Sequence, residues 1–143
     1  MNIEGIRQAI YTRLANYSAL NAITQSIGYE KPQDEEAESL TPFPFTVIED
    51  VSSQRWDTKD SDGGEQLVQI TTFCRPTASK SAVGLANEAA QAVYDALHRY
   101  DLPVSGSNLV NLIFDEDGGN IPDPDGVTRY RPMTFRVQYD DGT

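Results

Sequence analysis

The stretch Glu65-Gln-Leu-Val-Gln-Ile-Thr-Thr-Phe-Cys-Arg75 leads through Pro76-Thr-Ala-Ser-Lys-Ser81 into Ala82-Val-Gly-Leu-Ala-Asn-Glu-Ala-Ala-Gln-Ala-Val-Tyr-Asp-Ala-Leu97. The first part is rich in β-branched and aromatic residues and predicts a strand. Pro76, Thr77 and Ser79 break it and offer helix caps. Val83, Ala86, Ala90, Val93 and Leu97 then recur at steps of three and four, which predicts a long helix to about Tyr100. Its alanine-rich face lets it lie close against a sheet. Strand and helix in direct succession, each with one apolar face, are the parts of a sheet covered by helices.

Upstream, Phe43 to Val51 alternates and predicts a partner strand, with Phe45, Val47 and Val51 on one face and Thr46, Ile48 and Asp50 on the other. Pro44 sits near its start, where a missing N–H costs least. Residues 52–64 then read as a long polar hairpin connection holding Trp56. Residues 28–42 read as a mobile acidic loop, with Glu30, Asp34, Glu35, Glu36 and Glu38 between prolines. Before it, Ile3, Ile6, Ile10, Leu14 and Tyr17 mark one face of a helix, with Asn2 as N-cap, and residues 18–27 hold a short helical turn or bend.

Downstream, residues 108–116 predict a third strand with Val110, Leu112 and Phe114 on one face. An Asp, Gly and Pro loop covers residues 117–126. Residues 127–139 alternate again, with Met133, Phe135, Val137 and Tyr139 inward, and residues 140–143 form a tail. The order is helix, two strands, helix, two strands. It predicts an α+β single domain over residues 1–143: a mostly antiparallel sheet of about four strands with two main helices packed on one face.

The 143 residues carry a net charge of −11. Such an acidic chain repels phosphate, which argues against a nucleic-acid binder. Eight of its basic residues are Arg, with Lys only at 31, 59 and 80. Arg favours bidentate pairing with carboxylates. The single cysteine, Cys74, cannot form an internal disulfide and reads as a small buried hydrophobe. The N-terminus has no basic start followed by an apolar run, and no apolar stretch approaches the roughly 20 residues that span a bilayer. The expectation is a soluble chain made in a cytoplasm, with no membrane partner.

Catalytic patterns are missing. There is no G-x-S-x-G, H-E-x-x-H, phosphate-binding glycine loop or C-x-x-C. The only histidine, His98, falls at the end of the second long helix, where positive charge suits the helix dipole, and reads as a cap or surface residue. The loop from Asp115 to Gly126 fails the EF-hand template, because Gly119, Asn120 and Gly126 stand where ligand, glycine and glutamate belong. Asp, Gly and Pro make turns there instead. Glu49 and Asp50 point to opposite faces of a strand and cannot share a substrate. The reading is therefore no enzyme, with no catalytic residue, cofactor or metal.

Four stretches in order are similar to one family. They are Phe43-Pro-Phe-Thr-Val-Ile48; Trp56-Asp-Thr-Lys59 with Asp62-Gly63 and Glu65; the helix from Ser79 to Leu97 with its Ala92-Val-Tyr-Asp-Ala-Leu97 end; and Asp123-Pro-Asp-Gly-Val-Thr-Arg129. Together they resemble the siphophage tail-completion or tail-terminator proteins. Two features depart from that pattern: Tyr130 stands where the family often has His, and the acidic insert at 30–38 is longer. The resemblance implies a structural virion protein that forms a ring, expected to be a hexamer, at the head-proximal end of a tail. Its implied partners are further copies of itself, the tail-tube protein and the head-tail connector protein. DNA would pass through the lumen without specific binding. Another head-tail joining or minor tail protein, or a cytoplasmic adaptor for a basic partner, would share these features.

Within that reading, the expected partner and subunit contacts are Trp56, Asp57, Lys59, Asp123, Asp125, Arg129 and Arg131. Trp56 stands in a polar loop, and Trp is enriched as an interface anchor. Arg129 and Arg131, read as one strand, would share a face that meets the acidic loop of a neighbouring copy.

Overall fold

The computed structural model describes residues 3–29, 43–55 and 62–142. Helix α1 (Ile3–Ala15) and the single turn α2 (Ser18–Asn21) lead into a short strand, β1 (Ser26–Gly28). Two long strands follow, β2 (Phe45–Arg55) and β3 (Asp62–Cys74), then helix α3 (Ala82–Leu97). The chain ends in β4 (Asn108–Asp117), β5 (Ile121–Pro122), β6 (Arg129–Tyr130) and β7 (Met133–Gly142).

The four long strands lie in the order β2, β3, β7, β4, each antiparallel to the next. This is the sheet the sequence predicts, but it is larger and mixed. β1 adds to β2 in parallel, and β6 continues along the β7 side of β3 with β5 beyond it, giving 7 strands among the described residues. The reading of residue 28 as loop therefore gives way to a strand at Ser26–Gly28. Residues 140–142, expected as tail, belong to β7. The rest of the expected acidic loop, at 30–42, and the expected cap Asn2 lie outside the described residues.

One core joins all three helices to one face of the sheet. Ile6, Ile10 and Leu14 of α1, Leu20 of α2 and Ala89, Val93, Ala96 and Leu97 of α3 pack with Ile48, Val68, Ile70, Leu112, Met133, Phe135, Val137 and Tyr139. Fully burying one aliphatic or phenylalanine side chain contributes roughly 1.5–3 kcal/mol, so this cluster dominates the stability of the fold. The other face carries a smaller aromatic row. Phe43, Phe45, Phe73 and Tyr130 lie side by side with ring centroids 4.9, 5.1 and 4.9 Å apart. The Phe43–Pro44 peptide at its start is cis.

Three buried threonines on the helix side are paired with one another. Thr46 Oγ1 donates to Thr24 Oγ1 at 2.9 Å and shares a hydrogen bond of 2.8 Å with Thr72 Oγ1. Unpaired, such hydroxyls would carry a desolvation cost of about 1–3 kcal/mol each.

Both helix ends of α3 differ from expectation. Its cap is Ser81, whose hydroxyl accepts the Gly84 N–H at 3.0 Å, and not Thr77 or Ser79. The helix stops at Leu97 because Arg99 takes a left-handed conformation (φ 61°) and donates its N–H to Leu112 O at 2.8 Å, which turns the chain onto the edge of β4. Val83, placed on the apolar face by periodicity, is exposed in the first turn.

Two strand readings fail at bulges. Between Asp50 and Ser52 the β2–β3 register shifts, so Val51 is extra to the ladder and 52% exposed. The same occurs between Leu109 and Asn111, leaving Val110 45% exposed. A bulge adds one residue and flips the alternation beyond it.

The pairing of Gly64 with Tyr139 holds the far end of the sheet. A Cβ on Gly64 would stand 2.5 Å from Tyr139 Cζ, so the tyrosine ring occupies the space a side chain would need. Gly64→Ala is expected to destabilise the fold by about 1–3 kcal/mol, the usual range for overpacking. Urea unfolding of the variant would measure this, and unchanged stability would show that the ring can move aside.

Candidate partner interface

Past Ile48, β2 leaves the core while β3 stays in it, with Gly64, Gln66 and Val68 buried. Phe45 to Ile48 are buried, but every residue of β2 from Glu49 onward is exposed. The ladder nevertheless continues to the pair Arg55↔Gly64, and Gln54 Nε2 donates to Glu65 Oε2 at 3.1 Å. Of the expected long connection over 52–64, the described residues 52–55 and 62–64 are strand. Trp56, Asp57 and Lys59, at its tip, lie outside the described residues.

The second expected contact region, the Asp-rich loop, is tied to its own chain. Asp125 Oδ1 accepts the backbone N–H groups of Val127 and Thr128 at 2.8 and 2.7 Å. Its Oδ2 accepts from Thr128 Oγ1 and from Arg75 Nη2, the latter at 3.4 Å. Arg75 Nε donates to Thr128 Oγ1 at 3.1 Å, and its guanidinium lies 4.0 Å from the centre of the Phe43 ring. Gly126 adopts φ 77° and closes the turn by donating to Asp123 O at 3.0 Å. Desolvation would raise the Asp125 carboxyl, but the hydrogen bonds from Thr128 and Val127 and the charge of Arg75 outweigh it and hold it at about 2.

Arg129 and Arg131 do not share a strand face. Pro132 has no N–H to donate, and the strand breaks at Arg131-Pro132 between β6 and β7. Arg129 pairs through its backbone with Cys74 and Pro122, and among the described residues it has no ion pair. Arg131 turns instead to Asp117, donating from Nε at 2.9 and 3.0 Å and also from Nη2. Its Nη1 donates to Asn87 Oδ1 at 3.0 Å, which also accepts from Asn120 Nδ2 at 3.2 Å. Arg131 holds the Asp117 carboxyl below its ordinary range. The loop is therefore latched to α3.

A third pairing was not anticipated. On the helix-free face, Arg136 reaches Glu65 on one side at 2.6 Å and Asp115 on the other at 3.0 Å, which links β3, β7 and β4. The partners Arg75, Asn87, Asp115 and Asp117 are distant in sequence, and no local spacing marks them.

His98 is the C-cap residue of α3 by position: its backbone N–H donates to Tyr94 O at 2.9 Å, while its side chain turns to β4. Its Nδ1 takes the Phe114 N–H at 3.0 Å while the ring stacks on Tyr94 at 4.7 Å. Cys74 is fully buried, and burial pushes its thiol up to about 12, so it packs as a hydrophobe. Among the described residues no group of three or more His, Cys, Asp or Glu is placed to hold a metal ion. Nor is any helix among them long and apolar enough to cross a membrane.

The described groups thus hold the molecule together and leave an exposed outer half of β2 and a braced loop. Residues 8–140 match the family described as tail completion protein gp17. This chain belongs to that family. It is a structural protein of the phage tail and a component of the virion. A chain from a structure titled "Virion of native gene transfer agent (GTA) particle" shares the fold with a TM-score of 0.69 at 22% identity, covering 93% of this chain and 92% of its own. A second solved chain superposes with a TM-score of 0.62 at 13% identity, covering 98% and 95%. No curated protein matches the sequence.

For this tail completion protein the Asp125 turn gives a pH prediction. A depressed carboxyl contributes stability above its ordinary value near 3.8 and loses it as pH falls through about 2. Asp125→Ala is expected to cost about 1 kcal/mol at neutral pH, and the difference from the parent should vanish as pH falls from 4 to 2. Thermal unfolding across that range checks it, and a difference that persists at pH 2 would assign the loss to something other than the carboxylate.

Proposed function

We propose that this protein forms the ring, a hexamer, that closes the tail tube at its head-proximal end and joins it to the head connector, without catalysis. The match to the tail completion family over residues 8–140 carries this reading. The fold suits the role in three ways. Ring contacts are head-to-tail, so the two edges of a subunit can differ, and here one edge is β1 with the outer half of β2 while the other is β4. The exposed outer half of β2, Glu49 to Arg55, offers a surface to a neighbour or to the tube. The charge of −11 would let DNA slide past a ring wall without adhering.

The proposed contacts remain Trp56, Asp57 and Lys59 at the hairpin tip and Asp123, Asp125, Arg129 and Arg131 around the loop. Within that group Arg129 is the best candidate for an intersubunit charge pair, because Arg131 and Asp125 already have partners at home. Rim pairs of this kind contribute about 0–1 kcal/mol each. Apolar contact therefore has to supply most of the affinity, while charge sets orientation.

Micrographs of tails from a strain lacking the gene test the proposal. Tails of abnormal length, or tails unattached to heads, are the expected outcome. Normal-length tails joined to filled heads would remove it. Defects in the head with normal free tails would point to a different joint of the virion.

Trp56→Ala is expected to impair assembly by tenfold or more, roughly the loss typical of a central aromatic anchor, while leaving the folded chain intact. Circular dichroism and an in vitro tail-completion assay would separate the two effects. Normal assembly by a folded variant would show that the hairpin tip is not an anchor.

A further inference from the structure

One arginine is held in place without a carboxylate. Arg13 of α1 donates from Nε to Ala96 O at 2.9 Å, at the end of α3. Its guanidinium carbon lies 3.7 Å from the centre of the Tyr100 ring and 4.9 Å from that of Tyr17. Among the described residues no Asp or Glu comes within ion-pair distance of it. Arg7, Arg75, Arg131 and Arg136 all have such partners.

Arg13 also lines a groove of about 320 Å³ between α1 and the segment from Tyr100 to Ser105. Gly5, Ala9 and Thr12, on the same side of α1, line the groove with small side chains, and Pro103 lines it from the segment beyond Tyr100. Small residues let an incoming chain approach closely. A guanidinium already stacked on tyrosine rings loses little freedom when it binds, and its two terminal nitrogens form a planar fork that fits a carboxylate.

We propose that this groove is a subunit contact in which Arg13 receives an Asp or Glu side chain from a second copy of this chain. The inference rests on the reading that the protein assembles with itself. Charge complementarity favours that occupant: the chain has 22 acidic and 11 basic residues, so each copy presents carboxylates in excess. A polyanion such as DNA is repelled by the same net charge before one arginine could hold it.

The test is sedimentation velocity of the full chain over a range of concentrations, in low and high salt. Arg13→Gln removes the charged fork. Thr12→Trp fills the groove from an exposed position and leaves the contacts of Arg13 in place, so it remains informative if Arg13→Gln unfolds. Both variants are expected to self-associate about tenfold more weakly than the parent, the effect of losing one well-placed charge pair. Thr12→Trp should keep the parental unfolding temperature. A parent that associates alongside two variants that associate equally well would overturn the groove contact and leave the ring standing. A parent that stays monomeric at every concentration would overturn both. A loss of association that inorganic phosphate reproduces in the parent, by occupying Arg13, supports the site as an oxyanion receiver. Phosphate bound there with association unchanged would overturn the subunit contact.

Discussion

β3 is hydrogen-bonded along both edges, to β2 on one side and to β7 and then β6 on the other. Everything else in the fold depends on the register of that strand. Val68 and Ile70 face the helices while Leu67 and Gln69 face away, and a slip of one residue would exchange them. Aromatic contacts pin the register at both ends. Tyr139 fills the space above Gly64 at one end, and Phe73 sits between Phe45 and Tyr130 at the other. With the sheet face fixed, the alanines of α3 let that helix come close, and α1 closes the core from the side of α3.

The parts legible in the sequence are those with an uninterrupted period. The inward set Met133, Phe135, Val137 and Tyr139 is buried as the alternation predicts, and so is the α1 stripe of Ile6, Ile10 and Leu14. The period misleads wherever one residue is added to a strand. Val51 and Val110 are apolar and fall in step, yet each is the extra residue of a bulge and faces water. A bulge depends on the pairing of two strands, and one strand read alone does not contain that information. The break between β6 and β7 is a different case. Residues 127–139 read as one strand, yet Pro132 within them removes a ladder donor, and the strand breaks there.

Charge partners were far less legible than the core. Arg75 and Asp125 are 50 residues apart, and Arg131 and Asn87 are 44 apart. Such pairs exist only after the sheet has folded, so no spacing rule predicts them. What the sequence does contain is the preference for Arg over Lys, and the structure shows its use: Arg131 engages both oxygens of Asp117 and a neighbouring amide at once. A lysine, with a point charge and no planar fork, could not bridge those groups in the same way.

The distribution of these pairs also limits what charge can do in assembly. Asp117, Asp125, Glu65 and Asp115 are each held by an arginine of their own chain. A neighbour competing for one of them would have to leave its former partner unpaired, which cancels most of the gain. Contacts between copies therefore fall to groups that the fold has not already used. Arg129 at the β5–β6 edge and Arg13 on α1 are two such groups, and only Arg13 is fixed by stacking rather than by an opposite charge. An acidic chain in which carboxylates outnumber basic residues has no shortage of anions to offer. The scarce resource is a cation whose position is set and whose charge is unspent, and geometry rather than net charge decides where it occurs.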